Sequence, residues 1–227
     1  MKDLFNPTSS RRGKLLKALL IMPFILPVTL LQSQESSQDR AVYPTFGFGI
    51  GFFYPRDVND YIEASLPSGY INEYGFTELI MYLDIHAGVT FRMKQFDISG
   101  MVEYDIAPKL IMITNGDDLS FMYNRLAPGI NANYYIPVAS GRHAFFIGGG
   151  VNYSFMKLED FTASSPGIRL QAGFSLQLNK FNLQPFGAFN YAGATDSSDP
   201  EWEDFRMNYT SGQIGVNLSF HQRMNYK

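Results

Sequence analysis

The side chain most used for proton transfer near neutral pH occurs three times in this chain, at His86, His143 and His221. Nucleophilic catalysis would need a serine or cysteine held beside one of them by a third group. The chain has no cysteine, His86 sits in the middle of an extended segment, His143 lies beside a short connection, and His221 follows the last apolar run. This arrangement predicts no catalytic residues and no enzyme. A second cluster, Asp196, Asp199, Glu201, Glu203 and Asp204 around Trp202, has the carboxylates for a divalent cation. It lacks the spacing and the glycine of a calcium loop, so it reads as a solvated acidic loop, with neither a metal nor a cofactor expected. Gly47, Gly49 and Gly51 suggest a phosphate-binding loop only until the sequel is read, because no Lys-Ser/Thr follows and no helical pattern begins. What remains is a set of polar groups of both signs, Asp84, His86, Arg92, Asp97, Glu103, Asp105, Arg125, Arg169 and Gln171. Their spacing places them on one phase of successive extended segments. Groups of both signs on one phase predict a network of ion pairs and hydrogen bonds, if that phase is enclosed.

The elements that would position these groups are strands of period two. Residues 45–54 carry Phe46, Phe48, Ile50, Phe52 and Tyr54 on one side and the three glycines on the other. Residues 79–93 alternate Leu79, Met81, Leu83, Ile85, Ala87, Val89, Phe91 and Met93 with Tyr82, Asp84, His86, Gly88, Thr90 and Arg92. A turn at Lys94-Gln95 leads into a third strand, in which Asp97, Glu103 and Asp105 oppose Phe96, Ile98, Val102 and Tyr104. A slip of one residue would turn these carboxylates to the apolar side, so the register is firmly specified. Further strands are read over about 125–136, 144–156, 168–179 and 181–191, with the last at residues 213–220. Long connections are expected at 55–77, 108–120, 157–166 and 194–206, the first with a short helix capped by Asp57. Short connections fall at 94–95, 138–142 and 179–180.

The formal charge of −3 is unevenly distributed. Residues 1–33 hold Lys2, Arg11, Arg12, Lys14 and Lys17 against Asp3, a net of +4, which leaves −7 on the remainder. An acidic remainder excludes a nucleic-acid partner, which would require a basic surface. The basic start precedes an uncharged apolar run, residues 18–31, interrupted by Pro23 and Pro27. At fourteen residues this run is shorter than the roughly 20 that a membrane-crossing helix needs, and it reads as a secretory signal peptide, residues 1–33.

The segment Gln213 to Phe220, QIGVNLSF, has Gln213, Gly215, Leu218 and Phe220 in the order polar, glycine, apolar, aromatic. It resembles the closing-strand signal of bacterial outer-membrane β-barrels, which their insertion machinery reads. Residues 45–220 as a whole resemble the small OmpA/OmpX-like outer-membrane barrels of Gram-negative bacteria. That resemblance implies an all-β fold, an eight-stranded antiparallel up-and-down transmembrane β-barrel in the outer membrane. It also implies contact with membrane lipid and lipopolysaccharide, the insertion machinery as a partner, and a monomer. Residues 34–44 then form a periplasmic lead-in and 221–227 a tail or strand extension. The lipid deacylases of this shape are expected to carry a His-x-Ser arrangement, and none of the three histidines has it.

Periodicity alone leaves open which phase faces inward, since a soluble carrier barrel would turn the apolar phase in. Three features favour lipid outside. The apolar phase is bulkier than an eight-stranded bore could hold, the other phase carries too few charges for a solvated exterior, and aromatics recur beside the short turns at Phe46, Phe91, Phe96, Tyr134, Phe145, Phe181 and Phe220. Strand six is the exception, read as lacking an aromatic there. Eleven residues at about 3.3 Å each, tilted about 40°, span roughly 28 Å, close to the ~25 Å apolar band of such barrels. The expectation is a non-enzymatic barrel with a structural or surface-contact role. The alternative is a passive channel through the polar lumen.

Overall fold

The computed structural model describes residues 40–53, 81–111, 119–138, 143–158, 161–178, 181–192 and 209–220. Eight strands run through them: β1 Arg40–Phe53, β2 Met81–Met93, β3 Phe96–Ile111, β4 Leu119–Pro137, β5 His143–Leu158, β6 Phe161–Leu178, β7 Phe181–Ala192 and β8 Tyr209–Phe220. Each strand pairs antiparallel with its neighbours in sequence, and β1 pairs with β8, so the sheet closes into a barrel. The signal peptide, the helix expected in the first long connection, the acidic loop around Trp202 and the tail all lie outside the described residues.

Alternation decides which way each side chain points. In β2 the odd residues are outward and the even ones inward up to Asp84 and His86, and β5 and β7 follow the same rule. The outer surface is a belt of aliphatic and aromatic groups, in which Ile85 is 61% and Val151 62% exposed. Soluble monomers rarely expose a contiguous apolar surface of this extent. In lipid the same belt is favourable, and a charge placed at its mid-height would cost about 2–4 kcal/mol. The aromatics at the short-turn end stand outward, Tyr134, Phe145, Phe181 and Phe220 among them. The ring that strand six was read as lacking is Phe174, which pairs directly with Phe145 and is half-buried there.

Several expected boundaries move toward longer strands, β8 among them, which begins at Tyr209. β1 begins at Arg40, opposite Met93, within the stretch read as a lead-in. β3 and β4 extend through the expected second loop to the pair Ile111↔Leu119. The expected third loop, residues 157–166, is mostly strand, since β5 runs to Leu158, β6 starts at Phe161, and Lys157 pairs with Thr162. The cause is composition. Thr162 and Ser164 alternate with Ala163 and Ser165 in this stretch, so the period of two is present without bulky outward residues. Pro166 argues against a central strand, but it stands one residue beyond the last β6–β7 pair, Gly167↔Ala192, where a missing N–H interrupts no described ladder with β7. Inside the barrel wall prolines do cost pairing. The β4–β5 ladder skips from Leu126↔Phe155 to Gly129↔Asn152 around Pro128, and β6–β7 skips from Gly173↔Phe186 to Leu176↔Leu183 around Pro185.

The inward glycines of β1 are sterically required. A Cβ on Gly51 would fall inside the Tyr82 ring, and one on Gly47 would fall on the His86 imidazole. These glycines on β1 let the long side chains of β2 reach across the bore.

Candidate functional site in the barrel lumen

The bore is filled by side chains, and most of the polar ones belong to one connected network. On β4, Arg125 donates from Nε to Asp105 Oδ2 at 2.6 Å, from Nη2 to Glu103 Oε2 at 3.0 Å and from Nη1 to Ser154 Oγ at 3.1 Å. The other oxygen of Glu103 accepts from Arg169 Nη1 at 2.7 Å, so one carboxylate on β3 bridges two arginines. Arg169, on β6, also donates to Gln213 Oε1 at 3.0 Å and to Gln171 Oε1 at 2.9 Å. Gln171 Nε2 continues to Asn133 Oδ1 at 2.7 Å, and Asn133 Nδ2 to Asp97 Oδ1 at 2.9 Å. Asp97 then accepts from the Tyr135 hydroxyl at 2.5 Å, and that hydroxyl accepts from Gln184 Nε2 at 2.9 Å. The chain of contacts thus runs along most of the bore and touches every strand from β3 to β8.

Of the polar residues singled out in the sequence, Asp97, Glu103, Asp105, Arg125, Arg169 and Gln171 are members of this network and are buried. Arg92 meets it through a ring, its guanidinium carbon 3.8 Å from the centre of Tyr135. Asp84 and His86 form a separate pair on β2. His86 Nδ1 is 2.5 Å from Asp84 Oδ2, and Nε2 is 2.5 Å from Asn217 Oδ1. The imidazole and the Phe186 ring meet at a steep angle of 61°, with ring centres 5.8 Å apart. In β8, Gln213 is inward and joins the network, whereas Phe220 is outward and exposed and Leu218 half-buried. Gly215 lies inward beneath Phe186.

Several lumen residues carried no sequence signal of their role. Tyr135, Phe146 and Phe186 occupy the inward phase and form, with Ala144, a buried apolar cluster. A large ring at an inward position facing glycine on the next strand is the pattern that would have found Phe146, which pairs with Gly173, and Phe186, which pairs with Gly215. Asn133, Asn190, Asn217 and Gln184 are amides whose partners lie on other strands, some adjacent and some across the bore, and no local spacing announces them.

Chemically the arrangement binds its own groups. Glu103 and Asp105 are held by arginines, Asp84 by His86 and Asp97 by Asn133 and Tyr135, and the serine hydroxyls nearest the network are also engaged. Ser154 meets Arg125 and Asn152, while Ser211 meets Tyr82 and Asn190. Among the described residues no group of three or more His, Asp or Glu converges as a metal site. His143 stands at the start of β5, at the short-turn end, and His221 lies outside the described residues.

A closed eight-stranded meander with a polar, filled bore and an apolar outer belt defines a small transmembrane β-barrel of the bacterial outer-membrane kind, OmpA/OmpX-like in architecture. Among solved structures, Neisserial surface protein A is similar at 10% identity with a TM-score of 0.56, over 80% of this chain and 97% of that one. The attachment invasion locus protein of Yersinia pestis, solved with a heparin analogue, is matched at 7% identity with a TM-score of 0.40, over 80% of this chain and 99% of that one. At such identities the likeness is one of fold. No protein-family model matches the chain, and no curated protein matches it by sequence.

Proposed function

We propose that this protein is a closed, non-catalytic outer-membrane barrel that serves the cell envelope as a structural or surface-contact element. The observation that supports this reading is the continuous side-chain network. Its charges are paired across the bore instead of lining an open path, and Glu103 ties β3 to both β4 and β6 at once. A passive channel would need a water-filled route past Arg125, Arg169 and the rings below them, and these side chains are buried against one another. The outer belt meets membrane lipid, with lipopolysaccharide filling the outer leaflet around it. The closing-strand residues Gln213, Gly215, Leu218 and Phe220 present β8 to the insertion machinery.

The test is a planar-bilayer recording of the purified, refolded protein in potassium chloride. The expected trace has no discrete current steps, and reproducible steps at the frequency of protein insertion would overturn the closed-lumen reading. A parallel assay for ester hydrolysis on phospholipid should show no turnover above the detergent blank.

A further inference from the structure

We propose that the seal of the lumen is the aromatic tier of Tyr135, Phe146 and Phe186, and that the ion network positions these rings instead of forming the barrier itself. This rests on the closed-lumen reading above. Phe146 and Phe186 are 1% and 5% exposed and face inward, on the same phase as the ion network. The rings of Tyr135 and Phe146 are 5.7 Å apart at a tilt of 41°. Each phenylalanine leans over a glycine of the following strand. A Cβ on Gly173 would come within 2.7 Å of the Phe146 ring, and one on Gly215 within 2.7 Å of Phe186. The backbone has therefore been cleared of side chains where the rings lie.

Cations hold the tier from two sides. Arg169 places its guanidinium carbon 5.2 Å from the centre of Phe186, and Arg92 places its own 3.8 Å from the centre of Tyr135. Both arginines are fixed by other contacts, Arg169 through Glu103 and Gln213 and Arg92 through the Lys94 carbonyl. The physical distinction between network and tier is wettability. Hydrogen-bonded charges can exchange a partner for water and still be satisfied, so a polar plug leaks when it fluctuates. An apolar constriction offers water no partner and excludes ions by staying dry. By this reasoning the impermeability of the bore lies with three rings.

The experiment compares bilayer recordings of the full chain and two variants, each first shown to be folded by its heat-dependent gel mobility. Phe146→Ala combined with Phe186→Ala should give discrete current steps where the unaltered protein gives none. Glu103→Gln, which weakens the network and keeps the rings, should stay silent. If the double variant does not fold, Phe186→Ala alone is read in the same way, and Phe186→Leu, which refills the space, should restore silence. Silent alanine variants, or a conducting Glu103→Gln protein, would overturn the assignment of the seal. Steps from the unaltered protein would instead overturn the closed-lumen reading and leave the rings out of the question.

Discussion

Glu103 is the residue on which the lumen converges, because each of its oxygens holds a different arginine. Removing one partner of a buried ion pair leaves an uncompensated charge, at a cost of about 3–5 kcal/mol. Glu103→Ala should therefore lower the free energy of unfolding in phospholipid vesicles, read by urea titration, by an amount of that size, since Arg125 would retain Asp105 but Arg169 would lose its carboxylate. Glycine offers a second test at this scale, because its two settings in the barrel differ. A side chain on Gly51 would collide with Tyr82, whereas a Cβ on Gly212 would meet no atom within 4 Å. Gly51→Leu should destabilise by about 1–3 kcal/mol or more through overpacking. Gly212→Ala should be neutral or stabilise by about 0.4–1 kcal/mol through the unfolded chain. Equal losses in the same unfolding assay would contradict the inward and outward assignments of these two positions. The polar phase was readable at this scale from spacing alone, because Asp97, Glu103 and Asp105 share a parity. The partners were not readable, because Arg169 is 66 residues from Glu103 and comes within reach only when the sheet curls.

At the scale of the strands, the apolar belt has a height, and the paired segments go beyond it. The pairs Lys157↔Thr162 and Ile111↔Leu119 belong to strand ends where the sequence carries small or polar outward residues or a proline nearby, which is why these stretches read as loops. The hydrogen-bonded ladder continues there without needing lipid outside. Arginine substitution separates the two regimes. Ile85→Arg, in the exposed apolar part of β2, should cost about 2–4 kcal/mol, and Thr162→Arg, at the end of β6, only about 0–1 kcal/mol. Unfolding in vesicles reads both, and a comparable penalty at Thr162 would place this strand end inside the lipid band. The strand cores were legible because a bulky apolar residue at every second position is a strong signal. The end around Thr162 was not, because once both faces are polar or small the alternation carries little contrast, and in β3 Pro108 masked the strand's continuation.

For the whole molecule, closure leaves the sheet without a free edge strand, and among the described residues the ladders satisfy backbone groups strand to strand, with interruptions at Pro128 and Pro185 and one-sided pairing at some strand ends. Such a barrel should resist sodium dodecyl sulfate at room temperature and migrate differently after boiling. A single mobility with and without heat would contradict a closed barrel. The chain by itself determined the number of strands, their order, and the choice of lipid for the outer phase. Those follow from local alternation, connection length and side-chain bulk, each of which is a property of neighbours in sequence. Only the tertiary structure decided that Glu103 bridges Arg125 and Arg169, that Gln213 of the closing strand belongs to the lumen, and that Phe146 and Phe186 stack over glycines inside a polar bore. Contacts across a barrel depend on how far each strand is staggered against the next, and that stagger accumulates around the whole circumference before two opposite side chains meet.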